Sequence, residues 1–300
     1  MSKYIHGAWQ RAELRNDSLV FELEDGLAKA LRHGFFFVEQ PSDLAVEAGD
    51  RFAESFYLPP DPASQNPYRG YVGLTAESIA PRQGYFRRDS DQTEQFFLES
   101  QHWATVFPTE LAVQAVAMRD FALKILCAVF ESLDLPKQLW DTAAGGALSL
   151  AGTYHLTFNH FRPEIEARGL NIHKDSGWVT VLRSVEPGLE VLRDGDWASI
   201  NPQPGWFIVN FGCAMEILMK NTGTPVSAVA HRVRRQFRRT DKSPDRYSYA
   251  LFVDSSLDET VCPGLYRYEP EQGLVLESSL ATFLDKIVRE TYQPDGVGLY

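Results

Sequence analysis

Short β-rich runs separated by turn-forming residues fill the second half of this 300-residue chain, and they constrain its fold more than any other feature. The turns include Glu186-Pro187-Gly188 and the Pro/Gly-rich stretch 201–205. Several short strands at such spacing indicate an all-β sandwich or barrel. The runs are Thr153–Phe161, Trp178–Val185, Leu189–Leu192, Trp197–Ile200, Trp206–Phe211, Ser227–Val233 and Tyr247–Val253.

The first half of the chain has apolar residues at helical spacing instead. Helices are predicted over Leu23–Arg32, Leu44–Tyr57 and Pro108–Leu133, with a strand at Phe35–Val38 and a loop over 61–92. A last helix is predicted over Leu280–Thr291, before an irregular tail to Tyr300. The fold class predicted is therefore mainly β with flanking helices, with a jelly-roll-like core and an α-rich N-terminal part.

We predict one domain over residues 1–300, because neither an internal repeat nor a low-complexity linker interrupts the pattern. Its α-rich N-terminal part is placed at 1–145 and its β core with the candidate metal site at 146–275. The C-terminal helix and tail are placed at 276–300.

Charge and composition restrict the classes of partner. A net charge of −11 disfavours binding to a phosphate backbone. No apolar run approaches the ~18 residues of a membrane span. The segment Met1–His6 leads into charged residues, and Cys127, Cys213 and Cys262 are widely separated and form no CxxC motif. We therefore expect a soluble cytoplasmic protein with a small-molecule partner, neither a nucleic acid nor a membrane, and the pattern predicts no oligomeric state.

The tripeptide His173-Lys174-Asp175 is the sharpest local motif. In an extended strand, residues i and i+2 point to one side, so His173 and Asp175 are placed to bind one metal. A third ligand must come from elsewhere, and His231 ends a later β run. Two histidines and a carboxylate are the facial triad of non-haem iron(II) oxygenases. Because an H-x-D tripeptide alone recurs by chance, the motif needs support from other residues.

That support comes from Arg246-Tyr247-Ser248, which begins 15 positions after His231. On a strand, Arg246 and Ser248 face the same way. A guanidinium fork and a hydroxyl together form a receptor for a carboxylate. A co-substrate that carries a carboxylate is therefore expected at this strand.

The chain resembles the isopenicillin N synthase-like branch of the iron(II)/2-oxoglutarate-dependent dioxygenases. The run Leu27–Val38 resembles the family's opening helix and glycine-aromatic strand, and Phe52–Pro59 resembles the helix that follows. Gly188–Trp197 and Pro204–Asn210 resemble its barrel strands. These ordered matches extend over nearly the whole chain.

The resemblance implies a double-stranded β-helix, a distorted jelly roll, in which His173, Asp175 and His231 bind iron(II). It also implies that Arg246 and Ser248 bind the distal carboxylate of 2-oxoglutarate, with dioxygen as the second co-substrate.

Two departures from the family accompany the resemblance. The family often has an Asn-x-Tyr pair on the strand before H-x-D, whereas this chain has Leu156–Phe161 there. Asn159 and His160 are therefore the expected contacts to the co-substrate, with Thr157 as another replacement for the tyrosine. The spacing from His231 to Arg246 is also longer than the family's, which a longer hairpin loop explains.

The resemblance further implies oxidation of a small molecule, with C–H hydroxylation of an amino-acid- or peptide-derived natural product as the favoured reaction. Such chemistry belongs to secondary metabolism, for example antibiotic biosynthesis. Alternatives are a 2-oxoglutarate-independent iron oxidase of the same fold, a non-catalytic jelly-roll binding protein and a zinc hydrolase. Candidates for contact with the substrate are Tyr71, Tyr85, Arg87, Arg88, His155, Thr157, His160, Arg162 and Asn210.

Overall fold

The computed structural model describes residues 9–193, 195–238 and 245–291. The segment 1–6, the predicted tail to Tyr300 and residues 239–242 of the basic stretch after His231 lie outside these ranges. Within the described ranges, no helix combines the length and the apolar character that crossing a bilayer would require.

The described chain forms two sheets, one separate hairpin and a set of helices. The strands are β1 Arg11–Arg15, β2 Ser18–Phe21, β3 Phe35–Glu39, β4 Gly84–Arg87, β5 Thr93–Glu99, β6 Thr153–Phe161, β7 Leu170–His173, β8 Val179–Ser184, β9 Leu189–Arg193, β10 Asp196–Ile200, β11 Trp206–Phe211, β12 His231–Val233, β13 Tyr247–Asp254, β14 Gly264–Glu269 and β15 Gly273–Ser279. The α-helices are α1 Gly26–His33, α2 Glu47–Ala53, α3 Ser100–Val106, α4 Thr109–Ser132, α5 Trp140–Ala143, α6 Cys213–Met219 and α7 Leu280–Thr291.

The major sheet has nine strands in the order β2-β1-β3-β11-β8-β13-β6-β5-β4. All neighbours are antiparallel except β1 and β3. The minor sheet has four antiparallel strands in the order β10-β9-β12-β7. Strands β6, β8, β11 and β13 thus lie together in the major sheet, and β7, β9, β10 and β12 lie together in the minor sheet.

The two sheets pack face to face around an apolar core. Alternate residues of a strand point to opposite faces, so Phe35 and Phe37 of β3 point between the sheets, where they join Val191 and Ile200 of the minor sheet. Phe36, the residue between them, belongs to the larger core on the other side of the major sheet. The major sheet is therefore buried on both faces, and its inner face looks toward the minor sheet.

Helices cover the outer face of the major sheet. The longest helix, α4, packs against β13 and β8. Gln114 on α4 donates to the Tyr249 hydroxyl on β13 at 3.1 Å and accepts from the Gly49 amide on α2 at 2.8 Å. Because this polar bridge is buried and satisfied, it joins two helices to the sheet without an unpaired group.

The prediction of a mainly β fold with flanking helices is confirmed, and β6 and β11 have the predicted bounds. The predicted run Ser227–Val233 forms a strand only from His231, because the Ser227 amide bonds the Leu31 carbonyl outside the sheet. The N-terminal part supplies helices, as predicted, but also the five strands β1–β5 of the major sheet. The division at residue 145 therefore does not separate helices from sheet. Helix α6 and the hairpin β14–β15 were not predicted.

Candidate functional site

His173 and Asp175 lie where the minor sheet meets the loop into β8. His173 is the last residue of β7, and Asp175 follows two positions later. The His173 Nε2 atom lies 3.9 Å from Asp175 Oδ1. The spacing predicted from the sequence thus brings an imidazole nitrogen and a carboxylate oxygen together.

His231 comes to the same place through strand pairing. It begins β12, where it lies opposite His173 on the antiparallel neighbour β7. Its Nε2 atom lies 3.7 Å from Asp175 Oδ1. One potential ligand atom from each of the three residues lies within 4.8 Å of the others. In the described part of the chain, this is the one group of histidine, cysteine or acidic residues with metal-ligand spacing.

Both imidazoles are held in the orientation that a metal requires. His173 Nδ1 lies 2.9 Å from the Asn171 carbonyl, and His231 Nδ1 lies 3.1 Å from the Val229 carbonyl. A carbonyl can only accept, so each Nδ1 carries the proton and each Nε2 keeps its lone pair. This outer hydrogen bond is the usual way in which proteins orient a metal-binding histidine.

The charges around Asp175 favour binding of a cation. Burial raises the pKa of the Asp175 carboxyl, but the imidazoles of His231 and His173 and hydrogen bonds from Thr180 and Asn210 lower it, and the net shift is downward. Burial and the neighbouring His231 lower the pKa of His173 to about 4. At neutral pH the site therefore presents one carboxylate and a neutral His173 imidazole, which is the ligand form of each group.

Two nitrogens and one carboxylate oxygen match the preference of iron(II) for a facial triad with open positions. The same set suits zinc. The chemistry of these residues therefore fits a divalent metal. Residues on the neighbouring strand β13 bear on which kind of metal site this is.

Arg246 and Ser248 lie on the inner face of the major sheet, at the start of β13. Arg246 is only 5% exposed and Ser248 only 4%. The Arg246 guanidinium lies 4.3 Å from the centre of the Phe161 ring, and its Nη2 donates to the Ser184 hydroxyl at 3.3 Å. Its Nε and Nη1 atoms are buried and have no hydrogen-bond partner among the described residues.

Such a guanidinium is costly unless an anion binds it. Burial lowers the pKa of Arg246 to about 9. The backbone of Gly188 passes close over the same group, at a φ of +137°. A Cβ atom on Gly188 would lie 3.2 Å from Arg246 Nε and 2.6 Å from Gln236 Nε2. The two unpartnered nitrogens, enclosed in this way, can bind a small carboxylate, and with Ser248 they are the candidate carboxylate receptor.

Asn159 and His160, the two predicted co-substrate contacts, lie on opposite faces of β6. Asn159 lies opposite Ser248 of the neighbouring strand β13. Its Oδ1 accepts a hydrogen bond from Gln95 Nε2 at 2.5 Å. His160 pairs with Tyr247 instead and therefore points to the outer, helix-covered face. The structure thus leaves Asn159 beside the carboxylate receptor and does not fit a co-substrate contact for His160.

The ring of His160 is fully engaged on the outer face. It stacks on Tyr57 at 3.5 Å between ring centres, and its two nitrogens lie 2.6 Å from Glu94 Oε1 and 3.2 Å from Asp245 Oδ2. Burial lowers the pKa of His160, but the carboxylates of Asp245 and Glu94 raise it by more than burial lowers it, so the net shift is upward. His160 is a buried structural residue at this position, held between two carboxylates.

Two small cavities of about 160 Å³ each lie near this part of the chain, and only one of them is lined by a candidate ligand. One is lined by His173 and by Arg88. The other is lined by His155 and by Ser176, the residue after Asp175. A larger cavity of about 410 Å³ lies between β1 and α4 and contains none of the three candidate ligands.

The remaining candidates for substrate contact have other roles. Tyr71 packs in the aromatic core under Phe52, and Tyr85 donates to Glu94 at 2.6 Å. Arg162 is buried against backbone carbonyls. Thr157 shares the inner face with His155, which it contacts at 3.1 Å. Asn210 lines neither small cavity, and its Nδ2 donates to Asp175 Oδ2 at 3.2 Å. Arg87 is exposed.

Sequence reasoning missed four residues that shape the site: Thr180, Glu216, Gln95 and Phe161. Phe161 could have been found, because it follows Asn159 by two positions and so shares its face. Glu216 lies on the unpredicted helix α6, and its carboxylate accepts from Lys174 Nζ at 2.9 Å and from the Ala228 amide at 2.9 Å. No local signal in the sequence marks that bridge.

Comparisons with known proteins show what this chain is similar to. Residues 152–255 match the sequence model of the 2OG-Fe(II) oxygenase superfamily. Protein DMR6-LIKE OXYGENASE 2 of Arabidopsis thaliana is 28% identical over 195 residues, which are 63% of this chain and 52% of that protein. Protein DMR6-LIKE OXYGENASE 1 of the same plant is 25% identical over 260 residues, which are 81% of this chain and 71% of that protein. The chain thus spans about half the length of the first relative.

Among solved structures, the crystal structure of JOX2 in complex with 2OG, Fe and JA superposes with a TM-score of 0.62 at 22% sequence identity. The match covers 87% of this chain and 80% of JOX2. This likeness confirms the predicted jelly-roll fold. The segment that matches the superfamily model contains all five residues of the candidate triad and of the candidate carboxylate site.

Proposed function

We propose that this protein is an iron(II)- and 2-oxoglutarate-dependent dioxygenase that oxidises a small molecule. His173, Asp175 and His231 hold the iron, and Arg246 and Ser248 bind the distal carboxylate of 2-oxoglutarate. One observation carries the proposal: a buried guanidinium with two unpartnered nitrogens lies on the sheet face that looks toward the His-Asp-His cluster.

Iron(II) with 2-oxoglutarate and dioxygen supplies the oxidising power for reaction at a C–H bond. The protein's own residues position the reactants. The carbonyls of Asn171 and Val229 fix the two imidazoles, and Asn210 fixes the carboxylate of Asp175. Phe161 and the backbone at Gly188 cover the Arg246 guanidinium, which excludes water and strengthens its attraction for an anion.

The similar proteins support this proposal through their names. Both relatives described above are named as oxygenases. The JOX2 structure holds 2OG and Fe in a fold shared with this chain. The presence of both a metal-binding set and a receptor for the co-substrate disfavours a binding protein without chemistry, and the receptor has no role in a zinc hydrolase.

The finer parts of the proposal rest on the ordered motifs of the sequence. We place the chain, as a single domain, in the isopenicillin N synthase-like branch, with C–H hydroxylation as its reaction. The favoured substrates are amino-acid- or peptide-derived natural products of secondary metabolism.

The direct test is formation of succinate from 2-oxoglutarate by protein reconstituted with iron(II) in air. We expect succinate from the wild type and none above background from His173→Ala. Arg246→Gln should bind iron normally but require a much higher concentration of 2-oxoglutarate. A matched control is Arg183→Gln, since Arg183 lies on the outer face of the same sheet, paired with Asp50.

The test also separates the proposal from a 2-oxoglutarate-independent oxidase. An oxidase of this fold would consume dioxygen with a substrate while 2-oxoglutarate stayed intact. Iron-dependent oxygen consumption without succinate would overturn the proposal in favour of that alternative.

A further inference from the structure

The cavity beside His173 is unusually basic for an acidic protein. It is lined by Arg88 and Arg168 together with a single acidic residue, Asp91. Two guanidinium charges against one carboxylate leave it net positive, although the whole chain carries a net charge of −11. A local field of this sign concentrates anions in a site that the overall charge would repel. The remaining lining residues are Ser90, Gln95, Leu170, Asn171 and His173.

The loop that carries Arg88 is held rigidly by a buried arginine. Arg162 is 7% exposed, and its Nη2 donates to the Arg88 carbonyl at 2.7 Å and to the Asp91 and Thr93 carbonyls at 3.2 Å each. Its Nε donates to the Gln92 carbonyl at 3.2 Å. A buried polar network that is satisfied in this way makes the loop rigid.

Side chains then orient the Arg88 guanidinium. Its Nε lies 3.3 Å from Oδ2 of Asp91, which is only 2% exposed, and its Nη2 donates to Gln95 Oε1 at 3.2 Å. Gln95 in turn donates to Asn159, the inner-face neighbour of Ser248. A hydrogen-bonded chain therefore runs from Arg88 through Gln95 to Asn159, which lies opposite Ser248 in the sheet.

Arg168 approaches the cavity from the minor-sheet side. It forms an isolated parallel bridge with Asp91, and its Nη1 donates to Asn171 Oδ1 at 2.5 Å. A guanidinium has five N–H donors in a fork. Arg88 uses two nitrogens and Arg168 one in these contacts, so donors of both remain for a ligand.

We infer that the substrate carries a carboxylate that Arg88 and Arg168 bind in the cavity beside His173, next to the metal. This inference rests on the proposed function and names the class of its substrate. The 2-oxoglutarate receptor does not explain these arginines, since neither Arg246 nor Ser248 lines this cavity. Paired guanidinium groups recognise a planar carboxylate through parallel hydrogen bonds.

Titration calorimetry with a matched pair of probes, benzoate and its neutral amide benzamide, tests the inference. The protein is loaded with manganese(II) and excess 2-oxoglutarate, so that Arg246 is occupied. We expect benzoate to bind at least about tenfold more tightly than benzamide, because each charge-assisted hydrogen bond contributes strongly. Arg88→Gln and Arg168→Gln should each remove that preference.

Arg87→Gln is the matched control. Arg87 is exposed, lies on β4 opposite Glu94 of β5 and does not line the cavity. Its replacement should therefore leave benzoate binding unchanged. Arg88→Gln leaves the buried Asp91 without its ion pair, so a thermal melting curve is needed to show that this variant is folded. Arg168 is exposed, so its substitution carries the test if Arg88→Gln unfolds.

Equal binding of benzoate and benzamide, no detectable binding of benzoate, or binding that both variants retain overturns the inference. The inference is also overturned if binding of inorganic phosphate requires both arginines and binding of benzoate does not. Succinate formation, measured separately, reports on the proposed function. A protein that forms succinate but does not distinguish the probes refutes the carboxylate site alone. A protein that binds benzoate more tightly than benzamide but forms no succinate supports the carboxylate site and refutes the proposed oxygenase function.

Discussion

His231 and His173 lie opposite each other on the antiparallel strands β12 and β7, and both direct Nε2 at the same oxygen of Asp175. Their ring centres are 4.2 Å apart. The relationship depends on strand register, because a shift of one residue would turn either side chain to the other face of the sheet. Residues that hold this register or the Asp175 carboxylate should therefore affect metal binding.

Asn210 orients the Asp175 carboxylate through the hydrogen bond from its Nδ2 to Oδ2. Asn210→Ala removes that donor, and we expect about a tenfold or greater loss of metal affinity, as is typical for residues that support a metal ligand. Manganese(II) titration measures the effect. Asn221→Ala, on the surface, should bind the metal like the wild type. Unchanged affinity in Asn210→Ala would contradict the supporting role.

Glu216 links the two segments that carry the candidate metal ligands, since it accepts hydrogen bonds from both Lys174 and the Ala228 amide. Glu216→Ala should lower the free energy of unfolding by about 1–3 kcal/mol, because it leaves a buried donor unpaired. Metal affinity should fall with it.

Glu216→Gln should recover much of both losses, since its amide oxygen can still accept from Ala228. Urea unfolding and manganese(II) titration of both variants provide the comparison. Equal effects of the Ala and Gln variants would show that the charge, and not the backbone link, is what matters.

Arg246 should destabilise the protein when no co-substrate is bound. Replacement by Met removes a buried charge with unpartnered donors, and we expect the free energy of unfolding to stay unchanged or rise by about 1–4 kcal/mol. Affinity for 2-oxoglutarate should be lost at the same time. Arg183→Met is the control, because Arg183 is paired with Asp50, and it should destabilise the protein by about 1–3 kcal/mol. A large destabilisation by Arg246→Met would show that the guanidinium has a partner.

The cluster around His160 predicts the pH dependence of stability. The pKa of His160 is raised above its ordinary value of 6.5, so its contribution is complete below that pH and is lost as pH rises through the raised pKa. The pKa of Glu94 is lowered below its ordinary value of 4.5, because hydrogen bonds from His160 and Tyr85 outweigh its burial. Its contribution is present above pH 4.5 and is lost as pH falls through the lowered pKa.

Stability should therefore be greatest between these limits and should fall on the alkaline side. Urea unfolding between pH 5 and pH 9 measures this dependence, and His160→Gln should flatten the alkaline decrease. The same alkaline slope in that variant would place its origin elsewhere.

Strand periodicity predicted the local part of the site, whereas His231 was named from its place at the end of a later β run and from the family resemblance. The two-residue period of a strand predicted that His173 and Asp175 lie together, and they do, although β7 ends at His173 and Asp175 lies in the loop that follows. That His231 lies opposite His173 depends on pairing between strands separated by most of the β core, which periodicity does not specify.

The error at His160 has a similar cause. Alternation dictates that Asn159 and His160 point to opposite faces, but only the register with β13 shows which face looks toward Ser248. Glu216 lies on a seven-residue helix between strands, too short to give a periodic signal. The missed features are thus those that depend on tertiary contacts.

The most direct test of the central claim is an anaerobic iron(II) titration of the wild type and of the single variants His173→Ala, Asp175→Ala and His231→Ala. We expect one iron per wild-type chain and a loss of affinity of at least about 100-fold in each variant, because even an outer hydrogen-bond partner is typically worth 10- to 100-fold. Arg246→Gln should bind iron like the wild type. Wild-type iron affinity in any of the three variants, or no iron bound by the wild type, would contradict the assignment of the metal site.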